Sequence, residues 1–264
     1  MTQTTKRLGL SLLCVVVLSI TAMAQMIETA DGVLDRMKAN TQAIEDLDAF
    51  LTVEAYSDGD VSLTQRIRLS LLQPDRMRQE YLEPDYLAGN LSLIIGDRMW
   101  IYIAAIETWY ERDLAELSTA EQPWLVFRQF LRGVQNEFAD YTFELLSAEG
   151  DMDHQDDITH QGDEYHIQGT AETDAAVYGR IELWVDSQTF VPNKRILYDV
   201  EGNLLVELRI LEVEEVADST YMARMLQTYD ETGELKSTIH YDSITVNSGL
   251  DPTLFVRIEE PANE

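Results

Sequence analysis

The chain has 264 residues, 48 of them acidic and 19 Lys or Arg, for a formal charge of -29 on a sequence that is 45% hydrophobic. So acidic a chain is a poor partner for nucleic acid or an anionic membrane surface, yet its length and apolar content are enough to bury a sizeable core.

Residues 1–24 combine Lys6 and Arg7, an apolar run from Leu8 to Ile20, and Ala22-Met23-Ala24. This three-part pattern predicts a cleaved secretory signal, with Gln25 as the new N-terminus. The run is short of the roughly 20 residues of a spanning helix. The single cysteine, Cys14, would leave with the signal. The remaining residues, 25–264, are expected to form one domain without internal repeats or a linker.

The first element of that domain reads as a helix. Ala30, Val33, Leu34, Met37, Thr41, Ile44 and Leu47 recur every three or four residues and form one apolar stripe. Strand-like segments follow at 49–56, 61–72, 76–82, 91–95, 98–103 and 107–111. Asp58-Gly59, Pro74-Asp75, Gly89-Asn90 and Gly96-Asp97 separate them as turns. A second helix is expected over 121–137, where Trp124, Phe127, Phe130, Leu131, Val134 and Phe138 make a broad aromatic stripe. It reads either as a fixed part of the core or as a lid over a concave sheet.

Strands resume near 141–148, 163–169, 177–186, 190–199, 204–215, 220–229 and 236–246. Alternation is clear where Ile181, Leu183 and Val185 interleave with Arg180, Glu182 and Trp184, and where Leu204, Val206, Leu208 and Ile210 flank Glu207 and Arg209. One face of each strand is therefore buried and the other wet. About a dozen strands with two helices predict a mainly β (α+β) fold, in which a strongly curved antiparallel sheet forms an incomplete barrel with the helices in or over its concave face.

The sequence contains no Gly-x-Ser-x-Gly elbow, phosphate-binding glycine loop, His-Glu-x-x-His pair or Ser-x-x-Lys. No cofactor is expected. His154, His160 and His166 among the carboxylates of 151–166 are weak metal candidates, because their spacing fits no compact ligand pattern and a polar loop explains them as well.

The order of motifs along the chain adds a resemblance. Pro74-Asp75-x-x-Arg78-x-x-Tyr81, Glu83-Pro84, an apolar run and Gly96-Asp97-x-x-Trp100-x-Tyr102 come first. Ile181–Asp186, Phe190-Val191-Pro192, Tyr198-Asp199-x-x-Gly202 and Asp251-Pro252-x-x-Phe255 follow. This series resembles the LolA/LolB-like superfamily, in particular its outer-membrane lipoprotein-sorting branch.

The resemblance implies a periplasmic, non-enzymatic carrier that shields lipid or lipoprotein acyl chains in an apolar cavity of a half-barrel. An inner-membrane exporter or an outer-membrane acceptor would be its partner. An envelope sensor or interaction module on the same fold is the alternative. The cavity wall is expected to include Met77, Tyr81, Leu93, Ile95, Trp100 and Tyr102 from strands and Trp124, Phe127, Phe130 and Leu131 from the second helix. Met99, Ile101 and Ile103 would replace the strand aromatics if Trp100 and Tyr102 face outward. Arg66 and Arg68 share one strand face and are candidates for a head-group contact if that face lines the cavity. One departure from the resemblance is Gln73, at a position where lipoprotein carriers often have a basic residue.

Overall fold

The computed structural model describes residues 29–114, 138–146, 164–173, 176 and 178–257. The expected signal segment and the expected second helix over 121–137 lie outside these residues. Among the described residues there is one α-helix, and none is long and apolar enough to cross a membrane.

The helix, α1 (Ala30–Gln42), starts where the Thr29 hydroxyl accepts a hydrogen bond from the Gly32 N–H (3.1 Å). It buries Ala30, Val33 and Met37, at intervals of three and four residues. Burying a side chain of the Val or Met type stabilises by about 1.5–3 kcal/mol. Ile44 and Leu47, which the helical period also takes in, belong instead to the turn after α1 and to the first strand. The chain becomes extended at Asp46 because Leu47 pairs with Val246 and Leu71.

Among the described residues thirteen strands form a single antiparallel sheet that does not close into a barrel. They are β1 (Asp46–Ser57), β2 (Asp60–Leu72), β3 (Arg76–Glu83), β4 (Leu91–Ile95), β5 (Arg98–Ile103), β6 (Thr108–Asp113), β7 (Tyr141–Leu146), β8 (Glu164–Ala171), β9 (Arg180–Asp186), β10 (Pro192–Tyr198), β11 (Leu204–Ala217), β12 (Thr220–Tyr229) and β13 (Leu235–Val246). The spatial order is β6-β5-β4-β3-β2-β1-β13-β12-β11-β10-β9-β8-β7. Every neighbour is thus a hairpin partner except at β1–β13, where the two ends of the domain meet. A flat sheet of this size would span about 58 Å, and sheets beyond roughly ten strands generally curl.

α1 lies across the strands, touching β7 near the sheet edge and β12 further in. Its last turn is pinned by the Asn40 carboxamide, which donates to the Tyr221 carbonyl and accepts from the Tyr221 N–H, both at 2.8 Å. The buried side chains on the helix side of the sheet fall into two clusters. One gathers Leu47, Leu51, Leu69, Met77, Ile94, Met99, Met222 and Tyr241 from β1–β5, β12 and β13. The other joins Val33 and Met37 of α1 to Ile167, Ile181, Leu183, Leu197 and Leu208 of β8–β11.

A 3-10 turn at Pro252–Phe255 packs on β3 and β4, where Phe255 is 1% exposed and Arg78 Nη1 donates to the Leu254 carbonyl. Leu91, Ser92, Leu93 and Ile94 are consequently all buried, so this part of the sheet is covered on both faces.

Candidate functional site: an apolar cavity beneath the helix

A cavity of about 140 Å³ lies between α1 and β9–β12. Met37, Asn40 and Thr41 form its roof, with Ile44 and Phe138 at its margins. Leu183 of β9, Arg195 of β10, Leu208 and Ile210 of β11, and Met222, Ala223 and Leu226 of β12 form most of its floor. Met37, Phe138, Leu183 and Leu208 belong to one core cluster, whereas Ile44, Met222, Ala223 and Leu226 belong to the other. The cavity therefore opens where the two clusters fail to meet. An apolar cavity of about 150 Å³ can remain dry and accept a guest the size of benzene, so this space suits a short stretch of hydrocarbon.

The polar atoms along the roof are engaged by the protein itself. Asn40 pairs with the Tyr221 backbone, and the Thr41 hydroxyl donates to the Met37 carbonyl (3.1 Å). Arg195 lies on the floor. Its register partners are the buried Leu183 on β9 and Leu208 on β11, and opposite residues in an antiparallel sheet share a face. Its Cζ lies 5.6 Å from the Phe138 ring centre. Burial pushes its pKa down to about 9, which leaves it a cation at neutral pH.

Register divides the expected cavity residues between two faces. Met77 and Tyr81 lie on the helix-side face, with Ile94 opposite Met77 and Met99 opposite Ile94. Both are packed into the core, where burial pushes the Tyr81 hydroxyl up to about 12. Leu93, Ile95, Trp100 and Tyr102 point to the other face. Leu93 pairs with Arg78 and Trp100, and the Tyr102 ring lies 5.1 Å from that of Trp109. Met99 and Ile101 hold the inward positions instead. None of these six expected strand residues lines the cavity beneath α1. Trp124, Phe127, Phe130 and Leu131 lie outside the described residues.

Arg66 and Arg68 also sit on the face opposite α1, because Ile67, Leu69 and Leu71 take the inward positions of β2. Arg68 forms a forked pair with Asp48, with Nε and Nη2 each 3.0 Å from a carboxylate oxygen, and Arg66 meets Glu83 at 3.1 Å. Both face solvent and carry carboxylate partners, so this geometry gives the cavity no head-group clamp from β2. Gln73 takes a structural position: its Nε2 donates to the carbonyls of Thr41 (3.1 Å) and Ile44 (2.7 Å) at the end of α1.

His166 stacks on Trp184 with ring centres 4.2 Å apart, and its Nε2 lies 3.4 Å from Glu182. That contact holds the Glu182 carboxyl below its usual range, against an opposing effect of burial and with help from Arg180. His154 and His160 lie outside the described residues. Among the described residues no group of three or more His, Cys, Asp or Glu is placed to hold a metal ion.

The architecture matches known structures at low sequence identity. A LolA superfamily protein from Nitrosomonas europaea superposes with a TM-score of 0.63 at 17% identity, covering 87% of this chain and 98% of that one. A putative outer membrane lipoprotein-sorting protein domain from Vibrio parahaemolyticus gives 0.63 at 16% identity, over 84% and 94%. A DUF1329 family protein from Desulfovibrio piger gives 0.66 at 17% identity, over 86% and 96%. No curated protein matches the chain. A family model described as uncharacterized-protein-like matches residues 74–258, well over half of the chain. The chain belongs to that family, and its fold is that of the LolA superfamily.

Proposed function

We propose that the protein is a periplasmic carrier that holds an acyl chain of a lipid or lipoprotein in the cavity beneath α1 and passes it between envelope partners, such as an exporter and an outer-membrane acceptor. The observation that carries this reading is the cavity itself: about 140 Å³, apolar on most sides, and placed where a helix crosses a LolA-like sheet. Each methylene transferred from water into such a space contributes about 0.8 kcal/mol without demanding fixed polar geometry. That is the recognition a carrier of hydrocarbon chains needs, and it requires no catalytic group.

The test is native mass spectrometry with organic extraction on protein recovered from a bacterial periplasm, alongside an Ala223→Phe variant. Ala223 is a small residue on the cavity floor, and a phenyl ring there occupies the space meant for the ligand. A stoichiometric acyl-bearing species on the natural protein, lost from a variant with unchanged circular dichroism, is the expected result. A clean mass, with no uptake of dodecanoate or dodecanol when these are offered, would overturn the reading.

A further inference from the structure

We infer that the cavity takes the tail of a single chain, enclosing about six carbons, and that Phe190 closes one end of it and sets that length. This rests on the acyl-chain reading above and adds a limit on the number of chains and on the length enclosed.

The limit comes from volume. At about 140 Å³ the space is close to that of a cavity that benzene fills, so it holds roughly six carbons of one chain and leaves no room for a second. Leu183, Leu208, Met222, Ala223 and Leu226 line it with hydrocarbon, and the Asn40 and Thr41 side chains on the roof are committed to backbone groups. The enclosed part of the guest is therefore hydrocarbon, and its polar head stays outside.

Phe190 lies in the loop that joins β9 to β10, so it bounds the cavity where the strands end. Its backbone has φ +54°, in the left-handed region that a bulky side chain rarely adopts. Glycine or asparagine is the usual residue at such a hairpin position, and a phenylalanine persists there only where its surroundings fix it. They do so here. The Phe190 N–H donates to the Asp186 carbonyl at 3.0 Å, and the Asp186 carboxylate accepts from the Gln188 and Thr189 N–H groups at 3.0 and 2.7 Å. The ring is held as well, stacked on Tyr165 of β8 with centres 6.2 Å apart and lying 4.8 Å from Cζ of Arg36 on α1. A turn alone would be served better by glycine; the phenyl ring supplies an end wall between the helix and the sheet.

The experiment is calorimetric titration with dodecanoate, followed by its displacement with the unbranched carboxylates from butanoate to decanoate, which differ only in chain length. For the natural protein, affinity is expected to rise about fourfold per methylene up to about heptanoate, whose tail carries six carbons, and by less than about 1.5-fold per methylene beyond it. One molecule should bind per protein. Phe190→Gly and Phe190→Leu, which remove or shorten the wall, are expected to move the break toward longer chains by about two carbons or more. The glycine variant also relaxes the backbone at this position, and circular dichroism checks that both variants are folded. A merely structural role for the ring would change stability and leave the break where it is.

Affinity that climbs by a constant factor through dodecanoate in the natural protein, or two molecules bound per protein, would overturn the inference and leave the acyl-chain reading standing; neither result needs a variant. No binding of dodecanoate would overturn both. A break that stays near heptanoate in a folded Phe190→Gly or Phe190→Leu protein would refute the role given to Phe190.

Discussion

The inward face of the sheet is built from the same kind of alternating strand throughout, yet around β3 and β4 it is solid, whereas around β9–β12, where the two core clusters approach each other, it borders a cavity. Around β3 and β4 the inward side chains Met77, Ile94 and Met99 mesh directly, and Phe255 seals the opposite face. Around β9–β12 the inward face is covered by α1, a cylinder roughly 10–12 Å across that can touch a curved surface only along part of its length. Space remains beside the line of contact, where Ala223 is small and Arg195 replaces a hydrocarbon side chain. Strand meeting strand side by side gives a closed core, whereas a helix laid across strands gives room for a guest.

The sharpest way to break this comparison is to damage the solid side. Phe255 is 1% exposed and supplies the cover of β3 and β4, so Phe255→Ala leaves a void beside Leu91 and Leu93. For a buried phenyl ring in a turn packed on β3 and β4, the expected cost is about 3–5 kcal/mol in urea-induced unfolding. Affinity for a cavity ligand in the folded variant should stay unchanged. A Phe255 variant that unfolds no more easily, or that loses ligand while folded, would show that the two regions are not separate in role.

The strands and the general architecture were legible in the sequence because the apolar period of two is set by burial of one sheet face. Segments such as Ile181–Val185 and Leu204–Ile210 carry that period plainly. The start of β1 was obscured because Ile44 and Leu47 continue the helical spacing of α1 by coincidence. The site was harder to read. Trp100 and Tyr102 attract attention as large aromatics, but register with Leu93 and Leu91 turns them away from α1. Choosing between them and Met99 or Ile101 requires the pairing partner, which one strand's composition does not contain. Arg195 was hidden for a related reason. It follows Lys194, and consecutive basic residues put one charge on each face wherever the strand is placed. The register shift between Pro192 and Lys194 then interrupts the alternation that could have assigned its side.

A smaller effect tests how the β1–β13 junction is held between these regions. Asp46 is buried, and its carboxylate accepts from the Ser248 N–H and hydroxyl and from the Gly249 and Leu250 N–H groups, at 2.8 to 3.3 Å. Burial alone would raise its pKa, but these hydrogen bonds outweigh it and the net shift is downward from 3.8. The contribution of Asp46 to stability is therefore complete above its ordinary pKa and is lost as pH falls through the lower folded-state value. Asp46→Asn is expected to cost about 1–3 kcal/mol at neutral pH. The stability difference should shrink in acid, as read from urea unfolding across a pH series. A difference that stays constant with pH would mean that shape, not charge, holds the junction.

The smallest expected effect concerns Arg68, one of the two arginines that the sequence offers as head-group contacts. Arg68 is paired with Asp48 on the face opposite α1, with side chains 40% and 20% exposed. Such pairs contribute roughly 0–1 kcal/mol, because water solvates both partners well when they are apart. Arg68→Ala should accordingly move the urea midpoint little and leave the uptake of dodecanoate by the cavity beneath α1 unchanged. If Arg68→Ala abolished that uptake in a folded variant, the bound molecule would have to lie on the solvent face of β2. The cavity beneath α1 would then be a packing defect, and the distinction between a solid and an open side of this sheet would lose its functional meaning.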